Sequence, residues 1–555
     1  MENFNTFVSA KDYFLAAEFL SRLEPTEAAG FLALAGEEDF LAVVREIDPK
    51  FTAEILPLLE KEAAERLVRG LNYTENDAIF AEMDQEKKIE LLRTLPPELA
   101  VRVIKPEDMT DLVDGARPAR LKAIFAEMNA VDAARALETV REEDMPLLFR
   151  LLPKDTAADA FAEMDSERQE ALIGELNNLE IRRVLQDLFM DDVVDLLEEM
   201  PANVVKRILA QCDGDTRSYV NELLKYPKDS AGSIMTVEYV SLRASMTVDE
   251  AFDKIRKTAI DKETIYTCYV VDDKNYLIGI VSAKELLLSR KEAKIEEIME
   301  TNFCYAVTTD DREQAARLLT EYALLAIPVV DEEKRMVGIV TVDDAITVLE
   351  EENTEDIAKM AAVLPSEKPY LKTNVFRIWL NRIPWLLILM ISATFTGLIL
   401  NTYEGRLAII SSVLFACVPM IMDTGGNAGS QASVTVIRAL ALNELSTRDA
   451  FRVLWKEARA SVLLGGTLAI ACFGKLMLVD NLLFGYGDYT PYTCFVVALA
   501  LACTVLVAKL VGCTLPLLAK KVKLDPAVVA SPFITTIVDA VSLMVYCALA
   551  VKMLG

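Results

Sequence analysis

The chain has 555 residues, a formal net charge of −28 and a hydrophobic content of 52%, so we expect several structural units rather than one small domain. The charge is unevenly distributed, at about −34 before Tyr370 and about +6 from Tyr370 onward. An acidic front part of this kind would be repelled by phosphates, which argues against a nucleic-acid partner and favours solvation or cation binding. The sequence contains no His, which excludes His-based zinc sites and Ser-His triads.

The cysteines and the N-terminus narrow the class of protein further. The nine Cys form no CxxC pair and no evenly spaced framework, so we interpret them as packing residues in a reducing compartment. The N-terminus has no basic-then-apolar signal peptide. Because no catalytic constellation is visible either, we do not expect an enzyme.

Residues 1–225 are predicted to form an acidic all-α superhelix of repeated helices. The tetrapeptide FAEM occurs at Phe80–Met83, Phe125–Met128 and Phe161–Met164, and LEEM follows at Leu197–Met200. The last two steps are 36 residues each, a period typical of stacked helix pairs that bury one apolar face against the next pair. The Phe and Met residues of these motifs are therefore predicted to be core.

Residues 226–348 are predicted to form an α/β unit that is repeated once. Tyr269–Leu287 and Pro328–Ile346 align as apolar strand, acidic turn, apolar strand and helix start, with Gly279 and Gly338 at equivalent positions 59 residues apart. An Ile-Met pair precedes each copy. This doubled pattern resembles a tandem pair of CBS domains.

The CBS resemblance implies a candidate nucleotide site. Many CBS pairs hold the ribose of an adenosine nucleotide with a Thr and an Asp after the second strand. The second copy has Thr341 and Asp344 there, whereas the first has Ser282 and Glu285. ATP or another adenosine nucleotide is thus a candidate ligand. The alternative, given equal weight, is that Thr341 and Asp344 cap the following helix and bind no ligand.

Residues 384–555 contain five apolar stretches long enough to span a bilayer, which takes about 20 residues. Five such stretches separated by short polar gaps argue against buried helices of a soluble core. Basic residues are concentrated in alternate gaps, so the N-terminus and both acidic domains are predicted to be cytoplasmic, with the C-terminus outside the cytoplasmic membrane. The predicted spans are Pro384–Leu400, Leu407 to about Ala428, Ala460–Val479, Tyr492–Leu518 and Val528–Met553.

Polar residues inside these stretches mark the candidate functional site. The second stretch carries Asp423 and Asn427 in the segment MDTGGNAGSQ, and the fifth carries Thr535 and Asp539. An acid at the bilayer centre costs about 2.5–3.5 kcal/mol on insertion scales, so such residues usually face a water-filled path. Oxygen ligands of this kind suit Mg²⁺, Mn²⁺ or Ca²⁺ rather than Zn²⁺ or Cu²⁺. Lys509, in the fourth stretch, has either a structural or a functional role.

The order of parts, together with the segments PMIMDTGGNAGSQ and DPAVVASPFITTIVD, resembles the MgtE family of magnesium channels. The resemblance implies a multi-domain membrane protein: a helical superhelix, a CBS pair, an acidic linking (plug) helix over 349–383 and a five-helix transmembrane domain. It also implies a homodimer in the bilayer, with the pore between the subunits and lined by the second and fifth spans. Asp539 would hold hydrated Mg²⁺ with Asn427 nearby, and whether Asp423 touches the ion is open.

The resemblance further implies regulatory metal sites at the interfaces of the cytoplasmic domains, where bound Mg²⁺ closes the pore. The helical domain, the linking helix and the mouth of the fifth span would supply the ligands. The candidate regulatory ligands are Asp191, Asp195, Glu352, Glu355, Asp356 and Asp525.

Two other functions stay open at this point. One is a cation-coupled antiporter for divalent metals, and the other is a membrane sensor of Mg²⁺ or nucleotide that transports nothing. Two departures from the family pattern also matter. The helical domain is longer than the family needs, and Ser531 stands where some members carry Asn.

Overall fold

The computed structural model describes residues 2–259, 262–366, 370–371, 373–442, 444–485, 489–527 and 531–554. The chain divides into two compact units, Met1–Ala345 and Ile346–Gly555.

The first part of unit one is a series of short helices, as predicted. Each helix packs mainly on the second helix along the chain, for example α12 on α14 and α14 on α16, which winds the series into a superhelix. The helices are α1 (Glu2–Ser9), α2 (Tyr13–Leu20), α3 (Pro25–Ala33), α4 (Glu37–Glu46), α5 (Pro49–Ile55), α6 (Lys61–Gly70), α7 (Tyr73–Ala81), α8 (Gln85–Thr94), α9 (Pro97–Ala100), α10 (Asp108–Val113), α11 (Pro118–Phe125), α12 (Ala130–Thr139), α13 (Met145–Phe149), α14 (Lys154–Ala162), α15 (Ser166–Glu175), α16 (Asn178–Asp187), α17 (Met190–Glu199), α18 (Ala202–Gln211) and α19 (Gly214–Leu223).

The repeated tetrapeptides mark helix ends. Each one begins inside a helix and finishes just beyond its last residue, so that its Met turns back into the core. The prediction that their Phe and Met side chains are core is confirmed, because all of them are buried: Phe80, Met83, Phe125, Met128, Phe161, Met164 and Met200.

A longer repeat of 105 residues is also present in the superhelix. Arg45 Nε donates to Glu75 Oε1 at 3.0 Å, and Arg150 Nε donates to Glu180 Oε1 at 2.8 Å. Both glutamates complete a capping box at the start of their helix, an arrangement that satisfies two backbone N–H groups at once. The same Arg–Glu pair and capping box thus occur twice, 105 residues apart, which indicates that the first part of the superhelix duplicates the second.

Two three-stranded sheets follow, one in each predicted copy. In each sheet the first strand pairs parallel to the second, and the second pairs antiparallel to the third. This confirms the predicted strand, turn, strand and helix order. The elements are β1 (Ser241–Leu242), α20 (Val248–Thr258), β2 (Thr267–Val271), β3 (Leu277–Ser282), α21 (Ala283–Leu288), α22 (Ile295–Ile298), β4 (Ala306–Val307), α23 (Arg312–Tyr322), β5 (Ala326–Val330) and β6 (Met336–Thr341).

The Ile-Met pairs explain the paired glycines. A Cβ on Gly279 would lie 2.8 Å from Met299 Sδ, and one on Gly338 would lie 2.8 Å from Met235 Sδ. Each Met therefore packs on the strand whose glycine leaves room for its thioether. Since Met235 precedes the first copy and contacts a strand of the second, the two copies are interlocked.

The linking segment is not one helix. Helix α24 (Val342–Met360) ends where Ala362 takes a positive φ of 54°, and the next helix begins at Val375. A left-handed residue of this kind terminates a helix. The prediction of a single linking helix over 349–383 is therefore wrong. Residues 367–369 and 372 of this segment lie outside the described part.

Beyond Val375, the described residues of unit two form five long helices, as the predicted five-helix domain requires. Four of them meet the length and hydropathy of a membrane span within the described residues; the other is the helix that carries the polar MDTGGNAGSQ segment. The helices are α25 (Val375–Ile410), α26 (Ser412–Ala416), α27 (Val418–Ala441), α28 (Ala450–Gly474), which continues as a π-helix over Lys475–Leu483, α29 (Pro491–Lys521) and α30 (Ser531–Leu554).

The predicted boundaries of the second span were wrong. Leu407 belongs to α25, the chain turns at Ser411, and α27 starts only at Val418. Ser411 has extended backbone angles, and its side chain accepts a hydrogen bond from Val413 N. Because Ser caps a new helix in this way, the polar segment lies within α27 rather than at its end. The start of the predicted fifth span, residues 528–530, lies outside the described part.

Candidate functional site

Within the membrane bundle, α27 packs closely on α30 at Gly425, Gly426 and Gly429, and Gly426 faces the predicted pore residues of α30. A Cβ on Gly426 would lie 3.0 Å from Asp539 Oδ1 and 3.8 Å from Thr535 Cβ. Because Gly426 has no side chain, the Asp539 carboxylate lies directly against the backbone of α27.

Asp423 and Asn427 lie one helical turn apart on the accessible side of α27. Asn427 Nδ2 donates to Asp423 Oδ1 at 3.2 Å, and both side chains are exposed in the single chain. Asp423 is close enough to Asp539 to repel its carboxylate. The structure thus brings the four predicted pore residues together around one turn of α27.

The chemistry of this group is that of a hard oxygen site. Two carboxylates, an amide and a hydroxyl provide the ligand types that Mg²⁺ accepts, and Mg²⁺ often keeps several waters. Among the described residues, no group of three or more Asp, Glu or Cys side chains is placed to hold a metal ion.

A second acidic group lies in unit one, between α17 and the CBS pair. Asp191 and Asp195, the predicted regulatory pair, are joined there by Asp192, Glu263 and Asp344. Burial, followed by repulsion from Asp344, Asp192 and Glu263, raises the pKa of Asp191 well above its usual range. Loss of solvation, followed by repulsion from Asp192 and Asp344, raises the pKa of Asp195 to about 7.

The pKa values of the acids near Asp191 are raised for the same reasons. Burial and then the charge of Asp344 raise the pKa of Asp192 to about 6, and burial and then Asp343 and Asp344 raise that of Glu263 to about 7. Among the described residues, Asp191 Oδ1 and Glu263 Oε2 are buried without a hydrogen-bond partner. An unpaired buried carboxylate is strongly unfavourable unless a proton or a cation compensates its charge.

The sequence does not predict Asp192, Glu263 or the role of Asp344 in this group. For Asp344 it predicts nucleotide binding, and burial raises the pKa of Asp344 although Thr341 Oγ1 donates a hydrogen bond to it. In the first copy, Ser282 forms the equivalent bond to Glu285 within a capping box. The Thr341–Asp344 pair therefore serves at least to cap α24. The sequence feature that could have indicated the other members of the acidic group is the excess of acids around residues 191–195.

The predicted regulatory residues of unit two lie near the end of α24 and the start of α30. Glu352, Glu355 and Asp356 are on α24, and Asp525 lies in the turn after α29. Lys359 contacts two of these carboxylates: its Nζ is 3.0 Å from Glu355 Oε1 and 2.9 Å from Asp525 Oδ2. The sequence analysis did not single out Lys359.

Lys509 forms an ion pair inside the bundle. Its Nζ is 3.2 Å from Glu457 Oε2 on α28, and the Lys509 and Glu457 side chains are 8% and 19% exposed. The pair borders a cavity of about 520 Å³ that α27 also lines with Gln431 and Thr435. The pairing role considered for Lys509 is thus observed, with a partner that the sequence did not identify.

Comparison with known proteins covers all three regions. Residues 418–549 match the family profile described as a divalent cation transporter, residues 128–229 match the MgtE intracellular N domain, and residues 231–292 and 295–351 each match a CBS domain. The magnesium transporter MgtE of Thermus thermophilus is 40% identical over 345 residues, which are 62% of this chain and 74% of that protein.

The chain belongs to the MgtE family of magnesium transporters. The Bacillus subtilis magnesium transporter MgtE is 33% identical over 62% of this chain and 73% of its own length. A solved cytosolic domain of the Mg²⁺ channel MgtE, in complex with ATP, is 34% identical, covers 44% of this chain and 99% of its own, and superposes with a TM-score of 0.42. Members of the MgtE family are transporters, so a catalytic role is not expected. The matched N domain begins at residue 128, whereas helices of the same repeat begin at Glu2.

Proposed function

We propose that this protein is a Mg²⁺ channel of the cytoplasmic membrane whose ion path runs along α27 and α30. The observation that carries the proposal is the Asp539 carboxylate, seated against Gly426 beside Asp423 in a bundle of apolar helices. Asp539 would hold the hydrated ion, with Asn427, Asp423 and Thr535 supplying further oxygens along the path. The N-terminus and the CBS pair would lie in the cytoplasm, since basic residues cluster in alternate loops.

We further propose that two copies form the path. Asp423, Asn427 and Gln431 are exposed along one face of α27, and polar groups facing lipid tails are unfavourable. A second copy would cover this face, and the space between the copies would hold water and the ion.

The transport proposal is tested by Mg²⁺ flux into liposomes loaded with a Mg²⁺-sensitive dye. Asp539→Asn keeps the shape of the side chain and removes its charge, and we expect flux to fall to background. Asp480→Asn is the matched control, because Asp480 is another acid of the bundle but pairs with Lys475 at 2.6 Å. Normal flux in Asp539→Asn would refute the assigned path.

Regulation by Mg²⁺ is proposed at the acidic group of unit one. Asp191, Asp192, Asp195, Glu263 and Asp344 repel one another. No three of the described acids are placed as direct ligands of one ion, so Mg²⁺ would be held among them with its water shell, which would reduce the repulsion and favour the compact arrangement. We expect limited proteolysis of the full-length protein to slow as Mg²⁺ rises into the millimolar range, and Asp191→Asn with Glu263→Gln to weaken this response. Proteolysis that is insensitive to Mg²⁺ would contradict the proposal.

Nucleotide binding at the CBS pair is a separate proposal, based on Thr341 and Asp344 at the start of α24. Calorimetric titration of ATP into the full-length protein tests it, with Thr341→Ala expected to weaken binding. Equal affinity in that variant would assign the Thr-Asp pair to helix capping alone.

Cation-coupled exchange is the second candidate for transport, and the Lys509–Glu457 pair favours it. Ionisable pairs inside a membrane domain often belong to proton or ion relays. In an exchanger, flux should follow an imposed Na⁺ or H⁺ gradient rather than voltage, and Glu457→Gln should remove this dependence. Both results together would favour the exchanger over the channel.

A further inference from the structure

The start of α28 presents a basic stripe to the outside of the bundle. The stripe consists of Arg452, Lys456 and Arg459, whose side chains are all exposed. Residues that follow one another at steps of four and three lie on the same face of a helix. The face is therefore positively charged, although the chain as a whole has a net charge of −28.

Two cations of the stripe have no counter-charge within the protein. In the described part of the chain, neither Lys456 nor Arg459 contacts an acidic side chain, whereas Arg452 Nη1 lies 3.3 Å from Asp449 Oδ1. Glu457, the acid that follows Lys456, is turned away and pairs with Lys509 at 3.2 Å. Two exposed, uncompensated cations one helical turn apart attract an anion.

The same face of α28 becomes apolar one turn beyond the stripe. Leu463 and Ile470 are 75% and 77% exposed. They follow Arg459 by about 6 Å and about 16 Å along the helix at 1.5 Å per residue, and one leaflet of a bilayer contributes about 15 Å of hydrocarbon. The face thus combines cations with an apolar surface as long as one leaflet is deep.

Trp455 lies beside the stripe at the level expected for the membrane interface. Its side chain is 59% exposed, and the Arg459 guanidinium carbon lies 6.0 Å from the centroid of its ring. Trp is enriched at the level of lipid headgroups, where the ring meets apolar atoms and the N–H meets water. Since α28 begins at Ala450 and the predicted span begins at Ala460, Lys456 and the adjacent cation lie at headgroup depth.

We propose that this face of α28 binds an anionic phospholipid, whose phosphate contacts Lys456 and Arg459 and whose acyl chain lies along Leu463 and Ile470. A phosphate accepts strong hydrogen bonds from an ammonium and a guanidinium group, and basic residues beside a membrane span attract anionic headgroups. The adjoining apolar surface favours a lipid over a soluble phosphate, which would leave that surface uncovered. Lipid binding at this face is additional to the proposed transport of Mg²⁺.

Quenching of Trp455 fluorescence by brominated lipid tests the proposal. The parent protein is the full-length chain with Trp379→Phe and Trp385→Phe, which removes the two other Trp residues. It is placed in nanodiscs of phosphatidylcholine with a minor share of phosphatidylglycerol. Bromine is carried on the acyl chains either of the phosphatidylglycerol or of an equal amount of phosphatidylcholine. We expect brominated phosphatidylglycerol to quench Trp455 roughly threefold more strongly, because each cation near an anionic surface contributes about 1 kcal/mol.

Two pairs of substitutions show whether the stripe causes this preference. In Lys456→Gln with Arg459→Gln, the two brominated lipids should quench Trp455 equally, because the face no longer distinguishes their headgroups. Lys521→Gln with Lys523→Gln is the matched control and should keep the preference. It removes the same charge from exposed residues at the end of α29 and just beyond it.

Three results would overturn the proposal. Equal quenching of the parent protein by the two brominated lipids would show that the face has no preference for an anionic headgroup. An equal loss of preference in the control variant would assign the effect to the overall charge of this end of the bundle. Quenching by neither lipid would show that another protein surface, such as a second copy of the chain, covers the face.

Discussion

Gly426 is the residue on which the geometry of the intramembrane site depends. Its missing side chain lets the Asp539 carboxylate approach the backbone of α27, where Asp423 and Asn427 also lie. A contact of 3.0 Å to a new Cβ is tighter than ordinary packing allows, so any side chain at 426 must move Asp539 or separate the helices.

Gly426→Ala is therefore expected to impair transport without unfolding the bundle. A displaced carboxylate should reduce Mg²⁺ flux into liposomes by roughly tenfold, which corresponds to about 1.4 kcal/mol of lost ion stabilisation. Gly466→Ala on α28 is the control, since a Cβ there would meet nothing within 4 Å. Equal flux in the two variants would show that Asp539 does not depend on this close approach.

The Lys509–Glu457 ion pair contributes to the stability of the bundle, because each residue neutralises the charge of the other away from water. Lys509→Met or Glu457→Gln alone leaves one buried group without its partner, which typically costs about 3–5 kcal/mol. The double variant should recover most of this loss, because no charge then remains unpaired. The free energy of unfolding in detergent is measured for the unmodified protein, the two single variants and the double variant. Additive losses would mean that the pair contributes no coupling.

At the scale of elements, α17 and the start of α24 bring like charges together. The group includes Asp191, Asp192, Asp195, Glu263 and Asp344, and further acids contribute repulsion. Those further acids are Asp159, Glu163, Glu198, Glu199, Glu238 and Asp343. The arrangement is thus destabilised whenever the group is ionised and no cation is bound.

A pH dependence follows from the direction of these shifts. The pKa values of Asp192 and Glu263 are raised to about 6 and about 7, so the folded state holds protons that the unfolded state has released. Stability should then fall as the pH rises from about 4 to about 7, and stay low above that. Protons and Mg²⁺ relieve the same repulsion, so Mg²⁺ should stabilise the protein more at pH 8 than at pH 5.5.

Thermal unfolding of the full-length protein at the two pH values, with and without Mg²⁺, measures this effect. Glu263→Gln with Asp192→Asn should flatten both the pH dependence and the Mg²⁺ dependence. The same additional stabilisation by Mg²⁺ at pH 5.5 and pH 8 would contradict the assignment.

At the scale of the whole molecule, the polar face of α27 supports the proposal of a second copy within the membrane. The face contains Asp423, Asn427 and Gln431, all exposed in the single chain. A bundle that presented these groups to lipid would be unstable, which is the physical argument for two copies around one water-filled path.

Cross-linking tests the assembly. Gln431→Cys, in a background with Cys304 and Cys503 replaced by Ser, should give a covalent dimer with a bis-maleimide reagent in membranes. Leu463→Cys is the control, because Leu463 is 75% exposed on α28 and is expected to face lipid. Dimer from both positions, or from neither, would argue against a partner at the α27 face.

The elements of the fold and the family were available from the sequence, because they depend on local patterns. Helical periodicity, the 59-residue repeat and the apolar stretches each reflect which face of one element is buried. The same patterns did not reveal the helix break at Ser411 or the left-handed Ala362, since a single backbone turn leaves no periodic trace.

The sequence by itself determined which residues are candidates, and only the tertiary structure decided which of them meet. Asp423 and Asp539 were both visible as acids in apolar stretches, but the approach of Asp539 to Gly426 on α27 depends on how closely α27 and α30 pack. Glu263 joins Asp191, and Lys359 joins Asp525, only after separate elements have packed. The physical reason is that burial and periodicity act along one element, whereas the approach of two charges is set by packing between elements that are distant in the chain.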